Sequence, residues 1–259
     1  MKHILEGTRV LDFSEHVSGP ACTRLLAEMG AEVIKVEFTP HGDSAREMPF
    51  LKEGRSGFFV QQNRGKKSVC LDPRDSRSRD ALETLVRSSD VLVENLPVGE
   101  MAQLGFGWER VRTLNPKIVM CSISAFGQPG PLSPLPGGNE VASAYAGATA
   151  ITGTADGEPV LPSAAFGDVG AGSSAAGSIG YALLHAEKTG KGQHLDIAII
   201  DVYYEAQSLS SQALTLGDGS FTPHACGSHP PAGAPLGFFR GKDISIIIMV
   251  VDRSWPDFC

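Results

Sequence analysis

One aspartate stands in a setting suited to covalent chemistry. Asp168 lies in FGDVGAG, between glycines and at the head of a small-residue stretch. Two readings fit it. An Asp just before a helix is ordinarily an N-cap that accepts hydrogen bonds from the first free amides. It also suits a nucleophile. Gly167 and Gly170 keep bulk away from the carboxylate, and the positive end of the following helix favours its ionised form. Capping and catalysis are compatible. A second grouping is basic: NRGKK (63–67), with Arg74 nearby. Such a cluster commonly forms a solvated strand edge. It also suits phosphates, because Arg64, Lys66 and Lys67 precede a strand and Arg74 lies beyond its carboxyl end, where open α/β sheets bind ligands. The surface reading is favoured for at least one of these side chains, and Arg74 is the best placed for a phosphate.

The remaining reactive residues are scattered. His16, His185, His194, His224 and His229 show no metal-ligand spacing. His194 alternates with Asp196 on a strand, but two ligands are missing, so each histidine reads as a surface or loop residue and no metal is expected. Ser124, Ser173 and Ser174 lack the G-x-S-x-G setting of a serine hydrolase. The loop SEHVSGP (14–20) has one glycine, so the dinucleotide fingerprint is absent, as is a Walker A pattern. Cys22, Cys70, Cys121, Cys226 and Cys259 form no C-x-x-C pair, and their odd number speaks against a disulfide framework.

Elements must hold these residues. TRVLDFS (8–14) reads as a strand. GPACTRLLAEMG (19–30) reads as a helix with Ala21, Leu25, Leu26 and Met29 on one face and Gly30 as its stop, and AEVIKVE (31–37) as the next strand. KKSVCLD (66–72), DVLVEN (90–95) and KIVMCSISAF (117–126) are further strands. A helix from Pro73 or Ser76 turns Leu82, Leu85 and Val86 inward, and VGEMAQLG (98–105) and WERVRTLNP (108–116) lie between later strands. The alternation predicts an α/β fold: a Rossmann-like large domain with an open, mainly parallel sheet covered by helices. Beyond a Pro- and Gly-rich loop (126–139), NEVASAYAGATAITG (139–153) is helical at first. Residues 167–192 form a long helix in which Gly172, Ala176 and Gly180 leave one face nearly bare, 193–199 a strand, and 200–214 a helix. The expected division is a large domain over 1–214, a turn-rich linker over 215–235, and the start of a small second domain over 236–259. The strand ISIIIMVV (244–251) there needs neighbours on both faces.

Composition narrows the function. The chain has 259 residues, 42% of them apolar, ample for a core. A net charge of −7 with interleaved signs argues against nucleic-acid partners. Charges come too early for a signal peptide, and the apolar runs are far shorter than a bilayer span, so a cytoplasmic protein without membrane contact is expected.

Several ordered blocks resemble the class III CoA-transferases, the family of formyl-CoA and carnitine CoA-transferases and α-methylacyl-CoA racemases. They are residues 5–37, NRGKKSVCLD (63–72), 90–119, ISAFGQPGP (123–131), the block 167–202 around Asp168, and GSHPPAGAPLGFFRGKD (227–243). The resemblance spans essentially the whole chain. It implies a Rossmann-like large domain, a linker and a small domain, with the chain then returning to the large domain and two chains interlocking as a homodimer. Family members run well beyond the position of Cys259, so most of the small domain and the return segment are expected to be missing. The resemblance makes Asp168 the nucleophile, acyl-CoA and a carboxylic acid the substrates, and aspartyl anhydride and aspartyl-CoA thioester the intermediates. It places CoA on Val17 and Ser18, on Leu71, Asp72, Pro73 and Arg74, on Asn95, Leu96 and Pro97, and on Gln103. Phe38 and Gln103 replace arginines of formyl-CoA transferase-like members. Gly138 and Asn139 replace a large residue followed by an acid, leaving Glu140 to take the acidic role or to be a buried structural carboxylate. Racemase activity ranks below transfer because the racemases have a histidine where this chain has Gly138. A non-catalytic piece needing a second polypeptide is the third reading. The Gly-rich loop that covers the aspartate in formyl-CoA transferase is not evident in 227–243, so the acceptor stays open.

Overall fold

A computed structural model describes residues 3–230, 233–250 and 252–259. The expected βαβ unit opens it: β1 (Arg9–Asp12), α1 (Ser18–Glu28) and β2 (Glu32–Glu37), with Gly30 ending the helix turn at a φ of 101°. A small hairpin, β3 (Leu51–Lys52) and β4 (Arg55–Ser56), leads into α2 (Gly57–Asn63) and β5 (Lys67–Cys70). Next come α3 (Ser76–Arg87), capped by the Asp75 carboxylate on the amide of Arg77, and β6 (Val91–Glu94). The short α4 (Glu100–Gln103) and α5 (Trp108–Leu114) precede β7 (Val119–Ser124). Then follow α6 (Asn139–Tyr145), the long α7 (Phe166–Thr189), β8 (His194–Ala198), α8 (Ile199–Ala206) and α9 (Ser208–Thr215). The hairpin β9 (Leu236–Arg240) and β10 (Ser245–Met249) and a final turn, α10 (Trp255–Phe258), complete the described chain.

Six strands form one parallel sheet in the order β5-β2-β1-β6-β7-β8. The parallel sheet is the one expected from the alternation, and its strand order reverses between β1 and β6. Open α/β sheets bind ligands at such a reversal, beyond the carboxyl ends of the strands. Strand alternation sends Leu11, Leu92 and Met120 into a core with Leu82 and Val86 of α3 and Val111 of α5. Helices α1 and α7 supply Ala21, Leu26, Ala171, Ala175 and Ile179, all fully buried, to the packing of the sheet's other side.

The close approach of α7 to α1 depends on Gly172. A Cβ there would lie 2.6 Å from the Ser18 carbonyl oxygen and 3.0 Å from the Ala21 Cβ. The bare stripe expected through Gly180 does not continue. Four-residue steps overshoot a 3.6-residue turn, so Gly180 drifts to the exposed side, and the buried row follows Ala175, Ile179, Ala182 and Ala186.

The chain divides into two compact units, Met1–Ala142 with Ala165–Tyr203, and Ser143–Ala164 with Tyr204–Cys259. The six-stranded sheet belongs to the first. In the second, the helix expected over 200–214 is broken at Gln207, whose side chain instead donates to the Ala146 carbonyl. The apolar strand expected over 244–251 is found as β10, paired along one edge with β9. Ile246 and Ile247, which point to opposite faces, are both exposed, so neither face is covered among the described residues. Val251, at its expected end, and residues 231–232 of the expected linker lie outside the described residues.

Candidate active site

A buried charge network surrounds the end of β1. Asp12, at the end of β1, accepts from the Ser14 amide (2.9 Å), the Thr23 hydroxyl (2.7 Å) and Lys66 Nζ (2.9 Å). Lys35 of β2 pairs with Asp43 at 2.9 Å and donates to the Ser14 carbonyl, and all four ionic side chains are at most 2% exposed. Burial alone would raise the Asp12 pKa. The Lys66 and Lys35 charges and the Ser14 and Thr23 hydroxyls outweigh it and hold the carboxyl well below its ordinary range. The network fixes the loop after β1, where His16 sits at a φ of 62° with its amide on Asp43 and its ring nitrogen 3.1 Å from the Ser44 hydroxyl.

The basic cluster at 63–67 is thereby taken apart. Arg64 pairs with Glu28, Lys66 goes inward to Asp12, and Lys67 pairs with Glu32. Gly65, at a φ of 82°, turns the chain between the first two, and strand alternation separates the second and third. These three side chains form neither a joint phosphate site nor a uniform solvated edge.

The expected CoA positions fall into three groups. Val17 precedes α1, and Ser18 is its buried first residue. Asn95, just past β6, accepts from the Glu15 amide (2.8 Å) and donates to the Glu15 carbonyl (2.8 Å) and the Ser18 hydroxyl (3.1 Å). Its side chain thus ties the segments after β1 and β6 together. Leu96 is buried, its amide held 2.9 Å from Glu94 Oε2, while Pro97 is exposed. Leu71, Asp72, Pro73 and Arg74 follow β5, two strands away from β1. There Arg74 forks onto Asp72 at 2.8 and 2.9 Å, and its guanidinium lies 5.9 Å from the Phe38 ring centroid. Gln103 ends α4 and is exposed. A cavity of about 340 Å³ is lined by Asn95–Val98, Ser124–Phe126 and 133–137.

Asp168 is not an N-cap. Helix α7 starts at Phe166, which puts Asp168 in its first turn, and Ala165 at the cap position offers no side-chain acceptor. The cap comes from another element. Asn139 Oδ1 accepts from the amides of Gly167 (3.0 Å) and Asp168 (3.3 Å) and from the Tyr203 hydroxyl (2.8 Å). The flanking glycines serve close packing against α8. A Cβ on Gly167 would lie 2.3 Å from Tyr203 Cε2, and one on Gly170 2.5 Å from Val202 Cγ1. The half-buried Asp168 carboxyl is pushed up to about 6, first by burial and then by the Glu140 charge, with His16 pulling the other way. Glu140 is exposed, which removes the reading of it as a buried structural carboxylate.

His194 also departs from expectation. It is half-buried, stacks on Trp108 with ring centroids 5.6 Å apart, and has Nε2 2.9 Å from the Ser122 hydroxyl. Burial lowers its pKa. Beside it Glu94 is pushed up to about 7, chiefly by burial, although hydrogen bonds from Ser122 and the Leu96 amide favour its charged form. Among the described residues no group of three or more His, Cys, Asp or Glu is placed to hold a metal, and no helix is long and apolar enough to cross a membrane.

Residues 5–259 match the description of CoA-transferase family III. The chain belongs to that family. A formyl-CoA:oxalate CoA-transferase from Afipia carboxidovorans is 39% identical over 202 residues, which are 78% of this chain and 47% of that protein. A succinate–glutarate CoA-transferase from Agrobacterium fabrum is 33% identical over 253 residues, 95% of this chain and 63% of the relative. The crystal structure of a CAIB/BAIF family protein from Brucella suis superposes with a TM-score of 0.86 at 32% identity, over 96% of this chain and 66% of that one. The chain thus spans about half the length of the formyl-CoA:oxalate transferases it matches.

In this family III member the sequence signals for several site residues were misleading. Asn139 stands at the start of α6, where an Asn reads as a cap for its own helix, and it caps α7 instead. Tyr203 lies in an ordinary amphipathic stretch. Lys35 and Glu94 alternate within apolar strands as surface charges do, and both are buried.

Proposed function

We propose that this chain carries the CoA-binding part of a family III CoA-transferase, with Asp168 as the nucleophile. The observation that carries this reading is the state of that carboxylate. It sits half-buried at the head of α7 with its pKa pushed up to about 6, so near neutral pH it is ionised but poorly solvated. A carboxylate is a weak nucleophile in water, and removing part of its solvation raises its reactivity.

The reaction balances in four transfers. The Asp168 carboxylate attacks the thioester carbonyl of an acyl-CoA, forming a mixed anhydride and releasing the CoA thiolate. That thiolate attacks the aspartyl carbonyl, giving an aspartyl-CoA thioester and freeing the donor's carboxylate. The acceptor carboxylate then attacks the aspartyl thioester, forming a second anhydride and again releasing thiolate. The thiolate finally attacks the acceptor's carbonyl, giving the new acyl-CoA and restoring Asp168. In this reading CoA lies along Val17, Ser18, Leu71–Arg74, Asn95–Pro97 and Gln103 of the large domain. The acceptor is a carboxylic acid, the working form is a homodimer, and the protein is cytoplasmic.

Two measurements test it. Asp168→Ala should abolish transfer while CoA still binds, and retained turnover in that variant would remove Asp168 as nucleophile. Free CoA should raise the thermal unfolding temperature of the purified chain, because a ligand that binds only the folded form stabilises it. No shift at saturating CoA would count against a CoA site here.

A further inference from the structure

We propose that Asn139 is the positioning residue for Asp168: its amide oxygen occupies the N-cap place of α7 from outside the helix, leaving the Asp168 carboxylate free of its own helix amides. This rests on the reading of Asp168 as nucleophile and adds a residue to it.

An N-cap oxygen normally accepts from the second or third amide of the helix, and it comes from the residue just before the first turn. In α7 that residue is Ala165, which has no acceptor. Asn139 Oδ1 supplies the missing oxygen from 28 residues away, 3.0 Å from the second amide, that of Gly167, and 3.3 Å from the third, that of Asp168. The side chain is buried, and the Tyr203 hydroxyl donates to the same oxygen at 2.8 Å, which fixes the amide's orientation. Gly167 makes the approach possible, since a Cβ there would stand 3.0 Å from Asn139 Oδ1 and collide with Tyr203 and Ile199.

Without Asn139, these two amides lose their acceptor and are left to the carboxylate in the same helical turn, that of Asp168. A carboxylate that accepts backbone N–H bonds is stabilised in its charged form, and its pKa and nucleophilicity both fall. Asn139 prevents that. The charged groups that otherwise act on Asp168 are Glu140, next to Asn139 on α6, and His16, on the loop after β1. Glu140 raises its pKa and His16 lowers it. Asn139 Nδ2 also donates to Glu140 Oε1 at 3.4 Å, so the titration is repeated in a Glu140→Gln background, where that charge is absent.

The test is a carboxyl titration by NMR of protein labelled with 13C-aspartate, with Asp168→Asn used to assign the resonance. In Asn139→Ala the Asp168 pKa should fall by about one unit or more from its value near 6. Tyr203→Phe, which keeps the cap but frees its rotation, should give a smaller fall, about half a unit. Asn139→Asp should restore the thermal stability lost in Asn139→Ala, because a carboxylate caps as well, while moving the Asp168 pKa upward. A purely structural cap would lower the unfolding temperature without moving the titration. A folded Asn139→Ala protein whose Asp168 pKa is unchanged would overturn the proposal. Should that variant not fold, an unchanged pKa in Tyr203→Phe would do so. The titration does not depend on turnover. If the shifts appear but Asp168→Ala still transfers CoA, the positioning holds and the nucleophile assignment fails.

Discussion

Replacing Glu94 by glutamine should change how the stability of the protein depends on pH. Glu94 ends β6, is 4% exposed, and has its pKa raised from 4.5 to about 7, mainly by burial. In the unfolded chain the same carboxyl returns to its ordinary value. Between these two values the native state holds a proton that the unfolded state has lost, so stability falls as pH rises. The contribution is fully present below the unfolded value and gone above about pH 7. A difference of about 2.5 units at 1.36 kcal/mol each amounts to about 3 kcal/mol. Glutamine is uncharged throughout. Its carbonyl oxygen takes over the acceptor role toward the Leu96 amide, and its NH2 can face the Ser122 hydroxyl. Urea unfolding of both proteins from about pH 4 to about pH 8 isolates the effect, because Asp168 and every other titrating group are common to both. The stability of Glu94→Gln relative to the parent should rise by about 3 kcal/mol across that range. Parallel stability curves, or a relative loss at high pH, would refute the assignment of Glu94 as a buried carboxyl that binds its proton tightly.

Other expectations follow from the same geometry. Lys66→Met leaves Asp12 charged, buried and without its main partner, so urea unfolding should show a loss of about 3–5 kcal/mol, partly recovered when Asp12→Asn is added. Gly167→Ala drives a methyl into Tyr203 and Ile199 and should cost about 1–3 kcal/mol in chemical denaturation. Gly177→Ala, on the open side of the same helix, should instead gain about 0.5–1 kcal/mol. If Asp168 must be ionised to attack, kcat/KM for transfer should fall about tenfold per pH unit below about 6. A pH-independent rate through that range would contradict the need for the carboxylate.

The sheet was legible because its strands carry short apolar runs and its helices carry a 3.6-residue period, as in Val10 and Leu11 of β1 or Leu82 and Val86 of α3. The alternation of strand and helix pointed to a parallel sheet, and the order of its strands came only from the structure. What the sequence concealed was the fate of the charges. Lys66 lies in a run of basic residues that reads as surface, yet it is buried, because Asp12 arrives from a strand 54 positions earlier. Glu94 and Lys35 look like the polar members of alternating strands, but in a sheet covered on both faces neither direction leads to water. Asp168 was found as a candidate, whereas its cap was not. The residue that caps its helix is adjacent to it only in space, and local spacing holds no trace of a contact between α6 and α7. The exposed faces of β10 show the opposite failure. Apolar content predicted coverage, and among the described residues there is no layer to provide it.

The central claim is that the Asp168 carboxylate becomes acylated during turnover. Incubating the protein with an acyl-CoA, quenching with hydroxylamine and mapping the digest by mass spectrometry tests it directly. Either the anhydride or the aspartyl-CoA thioester would leave a hydroxamate on the peptide that contains Asp168, and this is the expected result. Turnover accompanied by a hydroxamate on another residue, or by none at all, would contradict the account.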